Sequence, residues 1–295
     1  MDTQIHKPAF IAILLCLIVA ACNSELEEEI TWQLGEHPDM LVVEGLVTNR
    51  MERQVIYLSK TGQYLTNEPP EAVSDAIITV SDGFEVYTYT ENDSINGEYS
   101  SDSQFIGIPF RSYSIQITLA NPLNNQAEYT AQSIMPDGLN MDTIICEIYP
   151  MPDFGFDTGD ELDTTLLGIY YYGKESDNPE NYYLAAISGS NFPGRKSATN
   201  LVRFTDDQNN GSQSDFILFI QNVISDDTIT FEVASVGRDY YDYIGSIQQM
   251  EQSGSAYSMS GPPANAVGNI AGALGYFNAA YISKKKGIAK KNLRF

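Results

Sequence analysis

The chain has 295 residues, 39 acidic against 16 basic, and a formal net charge of −23. So acidic a protein cannot neutralise a phosphate backbone, which excludes nucleic acid as its partner, and it gains nothing electrostatically from an anionic lipid surface. Of its two histidines only His37 lies beyond the first 21 residues, which excludes a Ser-His-Asp or Cys-His catalytic set and a multi-histidine metal centre from the body.

Lys7 opens the N-terminus ahead of an apolar run from Ala9 to Ala21. The run is shorter than the ~20 residues a bilayer-spanning helix needs, and it suits the apolar core of a signal peptide. It closes with Val19-Ala20-Ala21-Cys22, which resembles the bacterial lipobox: an aliphatic residue, two small ones that fit the peptidase cleft, then cysteine. Cys16 fits poorly, because Leu15 precedes it. Residues 1–21 are therefore expected to be removed and Cys22 to carry lipid, since several acyl chains hold where one is marginal. An ordinary secretory signal with a chance cysteine is the alternative. Residues 22–38 read as a solvated tether, because Glu25, Glu27, Glu28 and Glu29 cannot pack on apolar surface. That acidic run resembles the surface-export signal of Bacteroidota lipoproteins, which implies the outer face of the outer membrane. A plain charged linker is the other reading.

The body is rich in β-formers and punctuated by turn residues. Leu41–Thr48, Val55–Ser59 and Ala76–Val80 are predicted strands, and Phe84–Thr90 alternates almost strictly. Asn96-Gly97 predicts a hairpin before Glu98–Ser100. Ser112–Thr118 and Tyr129–Ser133 complete the set. Short strands at this spacing predict an antiparallel β-sandwich, Ig-like or prealbumin-like, over residues 39–136. Met135-Pro136-Asp137-Gly138 breaks the pattern and is read as a boundary.

A second β-rich domain is expected over residues 137–283. Its strands are predicted at Thr143–Tyr149, Leu166–Tyr172, Tyr182–Ile187, Val202–Phe204, Phe216–Gln221 and Thr228–Val236. The period then changes. Tyr240, Tyr243, Ile244, Ile247 and Met250 recur at helical spacing, so one amphipathic helix is predicted over residues 238–252. Gly272–Ile282 reads as a last strand, and residues 284–295 as a basic tail. With Lys7 and the six basic residues of that tail set aside, nine Lys and Arg face 38 acids between residues 22 and 283, a formal charge of −29. Cys146 is the one cysteine left to the body, so it has no internal disulfide partner and reads as a small buried hydrophobe.

Four segments in this order resemble a known family. They are Leu41–Gly45 with Val55–Thr61, Val73–Gly83, Tyr129–Pro136, and the helix followed by Pro262-Pro263 and Gly268–Phe277. Together, behind a lipobox, they resemble the Bacteroidota lipoprotein family catalogued as domain of unknown function 4249. The resemblance implies a β-rich outer-membrane lipoprotein, of a kind often encoded beside TonB-dependent receptors. It carries no catalytic residues, and the basic tail is not part of its pattern.

The remaining candidates for chemistry are sparse. Neither a GxxxxGK[ST] loop nor a GxGxxG opening a helix is present, and Gly268–Gly275 reads as close backbone packing. Asp157, Asp160 and Asp163, with Asp153 and Glu161, form a weak calcium candidate, but they lack the order of the common calcium loop and a solvated loop is the preferred reading. No cofactor other than that Ca2+ is suggested. Tyrosines cluster at 170–172, 182–183 and 240–243. Because successive strand residues face opposite sides, at least one member of each strand cluster is expected in the core. Ser188–Asp215 reads as a long loop carrying Phe192, Arg195, Lys196 and Arg203, the nominated contact element. These features favour a non-enzymatic surface lipoprotein, an accessory or binding subunit of a TonB-dependent receptor. A freestanding adhesin or glycan-binding module is the alternative, and a hydrolase on paired carboxylates the weakest reading.

Overall fold

The computed structural model describes residues 39–62, 69–150, 164–174, 176, 180–190, 201–205, 213–221, 223–253 and 266–291. All of them belong to the compact unit Asp39–Phe295. The protein is mainly β, and among the described residues its one helix is α1 (Arg238–Ser253). No helix among the described residues is long and apolar enough to cross a membrane.

Seven strands come first: β1 (Leu41–Thr48), β2 (Val55–Lys60), β3 (Ile77–Ser81), β4 (Val86–Asn92), β5 (Ile95–Ser101), β6 (Ser112–Leu123) and β7 (Gln126–Ile134). They form a single antiparallel path in the order β1-β2-β5-β4-β3-β6-β7 rather than two separately paired sheets. Alternation does the sorting. Leu41, Val43 and Val47 of β1, Ile56 and Leu58 of β2, and Tyr113, Ile115 and Ile117 of β6 all turn to one buried core. The turn between β6 and β7 is Asn124-Asn125, both at positive φ, as a two-residue hairpin requires. The hairpin predicted at Asn96-Gly97 instead turns three residues earlier, at Asp93-Ser94. Gly97 lies inside β5 at φ +75°, and a Cβ there would stand 2.5 Å from the Leu58 carbonyl. The glycine serves a close strand approach, not the turn.

The remaining strands are β8 (Asn140–Pro150), β9 (Thr164–Lys174), β10 (Tyr182–Gly189), β11 (Val202–Thr205), β12 (Gln213–Gln221), β13 (Thr228–Val236) and β14 (Leu274–Lys291). The last is the spine of the molecule. Its first part pairs in parallel with β1, from Val42 against Leu274 to Thr48 against Ala280. Its middle pairs antiparallel with β13, and Ala289–Lys291 pairs in parallel with β8. All fourteen strands are thereby joined into one mixed sheet.

This corrects two expectations. The basic segment 284–295 is not a tail as far as Lys291: Lys284 lies opposite Glu232 and Ile288 opposite Thr228 within the sheet. Residues 39–136 also do not complete their own core, because Ile270, Ala273, Phe277 and Ala279 are buried within it. Strand β7 returns to the same spine, with the Ala279 N–H donating to Ser133 Oγ at 3.0 Å and Asn269 Nδ2 donating to the Gln132 carbonyl at 3.1 Å.

A second core lies between β8–β9 and β10–β13. It holds Cys146, Ile148, Ile169 and Tyr171 with Tyr183, Ile187, Phe231 and Val233. Burial pushes the Cys146 thiol up to about 11, so it stays a protonated apolar filler. Tyr171 and Tyr183 are each 1% exposed while Tyr172 is 37% exposed. Within these strand clusters, then, alternation sends some tyrosines inward and some outward.

Candidate functional site

The helix begins where β13 ends. Gly237 accepts the first helical hydrogen bond, from the Tyr241 N–H, and Asp239 places an acid in the first turn, where the helix dipole favours it. Ile244 buries against Leu184, Val236 and Ala280, which seats α1 on the outer face of β10, β13 and β14. Tyr240, Tyr243 and Ile247 then overhang the neighbouring strands β1 and β2.

Two adjoining cavities open beneath this overhang. The smaller, about 470 Å³, is lined by Glu44, Leu46, Val55, Tyr57, Tyr240 and Tyr276 among others. The larger, about 1040 Å³, runs on between the end of α1 and the segment Ala266–Gly275. Glu44, Tyr243 and Ile247 border both, so the two read as one groove. Its floor follows from strand register. Glu44 lies opposite Tyr57 of β2 on one side and opposite Tyr276 of β14 on the other. Each of these strands buries its other face.

The wall is aromatic. The Tyr240 and Tyr243 rings stack at 6.1 Å, and the Tyr276 ring meets them at 4.9 Å and 5.1 Å. Burial, then Tyr243, Glu44 and Tyr276, pushes the Tyr240 hydroxyl up to about 12. Burial with Asp239 and Tyr243 does the same to Tyr276. Tyr57 is raised by burial, then by the Glu98 and Glu44 carboxylates. These phenols are therefore protonated and neutral at any working pH.

The glycine-rich run forms the groove's far side by packing backbone on backbone. A Cβ on Gly268 would lie 1.8 Å from the Gly275 carbonyl, and one on Gly275, at φ +87°, 2.0 Å from the Val43 carbonyl. Asn269 fixes the bend, accepting from the Phe277 N–H at 3.0 Å and donating to the Phe277 carbonyl at 2.8 Å.

None of the residues nominated from sequence for lipidation, calcium or contact is among the described lining of the groove. Cys22, the calcium candidates Asp157, Asp160 and Asp163, and the loop residues Phe192, Arg195 and Lys196 lie outside the described residues. Arg203 is not on a loop. It sits in β11, its guanidinium 4.0 Å above the Tyr241 ring and its Nη2 4.0 Å from Asp242 Oδ1. Gly245 makes room for it, since a Cβ there would stand 2.1 Å from Arg203 Nη1. Arg203 thus clamps α1 to the sheet edge. Among the described residues, no three His, Cys, Asp or Glu side chains gather to hold a metal ion. The groove itself escaped sequence reasoning, because β1, β2, β14 and α1 are distant in the chain. The one available signal was the outward-facing series Glu44, Leu46, Val55 and Tyr57 beside a tyrosine-rich helix.

These features define a mainly β protein of one large mixed sheet, with a helix laid across an aromatic groove. A family model matches residues 27–286, and the chain belongs to the family described as a domain of unknown function (DUF4249). No curated protein matches it.

Proposed function

We propose that this protein is a non-enzymatic lipoprotein of the outer-membrane surface, anchored through Cys22, and that it acts as an accessory or binding subunit of a TonB-dependent receptor. The groove beneath α1 is its contact site. The observation that carries this reading is the chemistry of the groove. Its described lining is aliphatic and tyrosine-rich, and it pairs no nucleophile with a base. Such a lining suits holding a ligand or partner segment rather than transforming one. The lipobox-like Val19–Cys22 and the acidic run behind it support the anchorage.

The test is a mild-detergent affinity pull-down of the lipidated protein from its native envelope, with Cys22→Ala as control. A barrel receptor is expected to co-purify with the lipidated chain alone, and to be lost on replacing Tyr57, which is 47% exposed and therefore removable without disturbing a core. Recovery of barrel at control level sinks the reading.

The exposed ring of Tyr57 beside an aromatic wall also favours a second reading, a glycan-binding module, because sugar rings stack on aromatic faces. Glycan-array binding that disappears in Tyr57→Ala, with no barrel in the pull-down, would select it.

A further inference from the structure

We infer that the groove binds an organic cation on an aliphatic stem, an alkylammonium group, seated against Glu44. This rests on the groove being the contact site. Several carboxylates of the protein are held by bases. Glu232 holds both Arg50 and Lys284 at 3.2 Å, Asp82 holds Arg111, and Glu71 holds Lys60 at 2.7 Å. The Glu44 carboxylate has neither a hydrogen bond nor an ion pair among the described residues, and no basic side chain is among the described lining residues of either cavity. Two described cations beside α1 are committed elsewhere: Arg203 lies over Tyr241, and Arg238 pairs with Asp242 at 3.6 Å.

What surrounds Glu44 selects the ligand. Tyr57 and Tyr276 flank it on the sheet, and Tyr240 and Tyr243 stand above. Tyrosine faces carry partial negative charge and attract cations, most of all poorly hydrated ones, while the alkyl stem gains from apolar contact. Leu46, Val55, Ile244 and Ile247 supply that contact. An anion would meet Glu44 and a net charge of −23, with no basic side chain among the described lining residues to receive it. A hard divalent cation needs several oxygen ligands, and among the described residues no three carboxylates gather to hold one. The remaining class is a soft organic cation, either a free quaternary amine or the lysine side chain of a partner segment.

Calorimetric titration of the lipidated full-length chain in non-ionic detergent tests this with three probes: choline, an Nα-acetyl-lysine amide, and the uncharged carbon isostere of choline. Saturable binding of at least one cation is expected, with the isostere about tenfold weaker or worse. Glu44→Gln should weaken the cation about tenfold while leaving the thermal midpoint unchanged, because the side chain is exposed and unpaired. The tighter of the two cations identifies the source, free amine or partner lysine. An isostere that binds as tightly as choline, no saturable binding of either cation, or an unaffected Glu44→Gln overturns the inference. If a barrel co-purifies while no cation binds, this inference alone falls. If a cation binds and no barrel does, the receptor association falls and the cation site stands.

Discussion

Phe277→Ala tests whether the C-terminal strand completes the first core. Phe277 is 0% exposed and sits in β14 opposite Gly45 of β1, more than two hundred residues away in sequence. A Cβ on Gly45 would stand 2.8 Å from Phe277 Cδ2, so the ring fills the space that the glycine leaves. Truncating a fully buried phenylalanine costs about 3–5 kcal/mol, from lost transfer free energy and the cavity left behind. For a body of this size, each kcal/mol lowers the thermal midpoint by roughly 2–4 °C, so a fall of roughly 6–20 °C is expected. The assay is denaturant and thermal unfolding followed by far-UV circular dichroism. The same experiment reads cooperativity. If β14 joins both cores, Phe277→Ala should shift the whole transition. A loss below about 1 kcal/mol, or a shift confined to one of two separate transitions, would refute the reasoning.

Three further outcomes follow from the same structure. Gly275→Ala places a side chain at φ +87° and 2.0 Å from the Val43 carbonyl, so it should break the start of the β1–β14 ladder and cost at least about 2 kcal/mol; unchanged denaturant midpoint would contradict this. For Glu232, burial alone would raise the carboxyl, but the hydrogen bonds and charges of Arg50 and Lys284 hold it below the usual carboxylate range. Its folded pKa is depressed, so its stabilisation is present above the ordinary carboxylate value and is lost as pH falls through the folded one; Glu232→Gln should flatten that acid limb of the stability profile, and an identical limb would count against the pairing. In a chain carrying Cys16→Ser and Cys22→Ser, Cys146, 2% exposed with its thiol pushed up to about 11, should resist thiol reagents until the protein is unfolded; rapid labelling of the native state would be incompatible with its burial.

Local patterning carried much of the secondary structure. Leu41–Thr48 and Thr228–Val236 form strands with the predicted bounds, and the predicted helix at 238–252 is α1, Arg238–Ser253. Period-two and period-3.6 spacing are properties of neighbouring residues, so a single sequence displays them. The Asn96-Gly97 signal misled because a glycine at positive φ serves a turn and a tight strand crossing equally, and only Leu58, far away in the chain, decided which. The basic segment misled for a related reason. Lys284, Lys286 and Lys290 look like a solvated run, yet they alternate with Lys285, Gly287 and Ala289, whose side of the strand faces the second core. In an acidic protein, the outward lysines find Glu232 and open solvent, and the strand continues beneath them.

The sequence by itself determined the class and the chemistry excluded. Charge, the near absence of histidine and the alternating apolar pattern are additive properties that need no knowledge of contacts. The tertiary structure decided which strands meet. Pairing β1 with β14 in parallel joins the two ends of the described chain, completes the first core with Phe277, and brings Glu44, Tyr57 and Tyr276 side by side beneath the helix tyrosines. Such juxtapositions depend on burial shared between residues more than two hundred positions apart, and no local pattern encodes that.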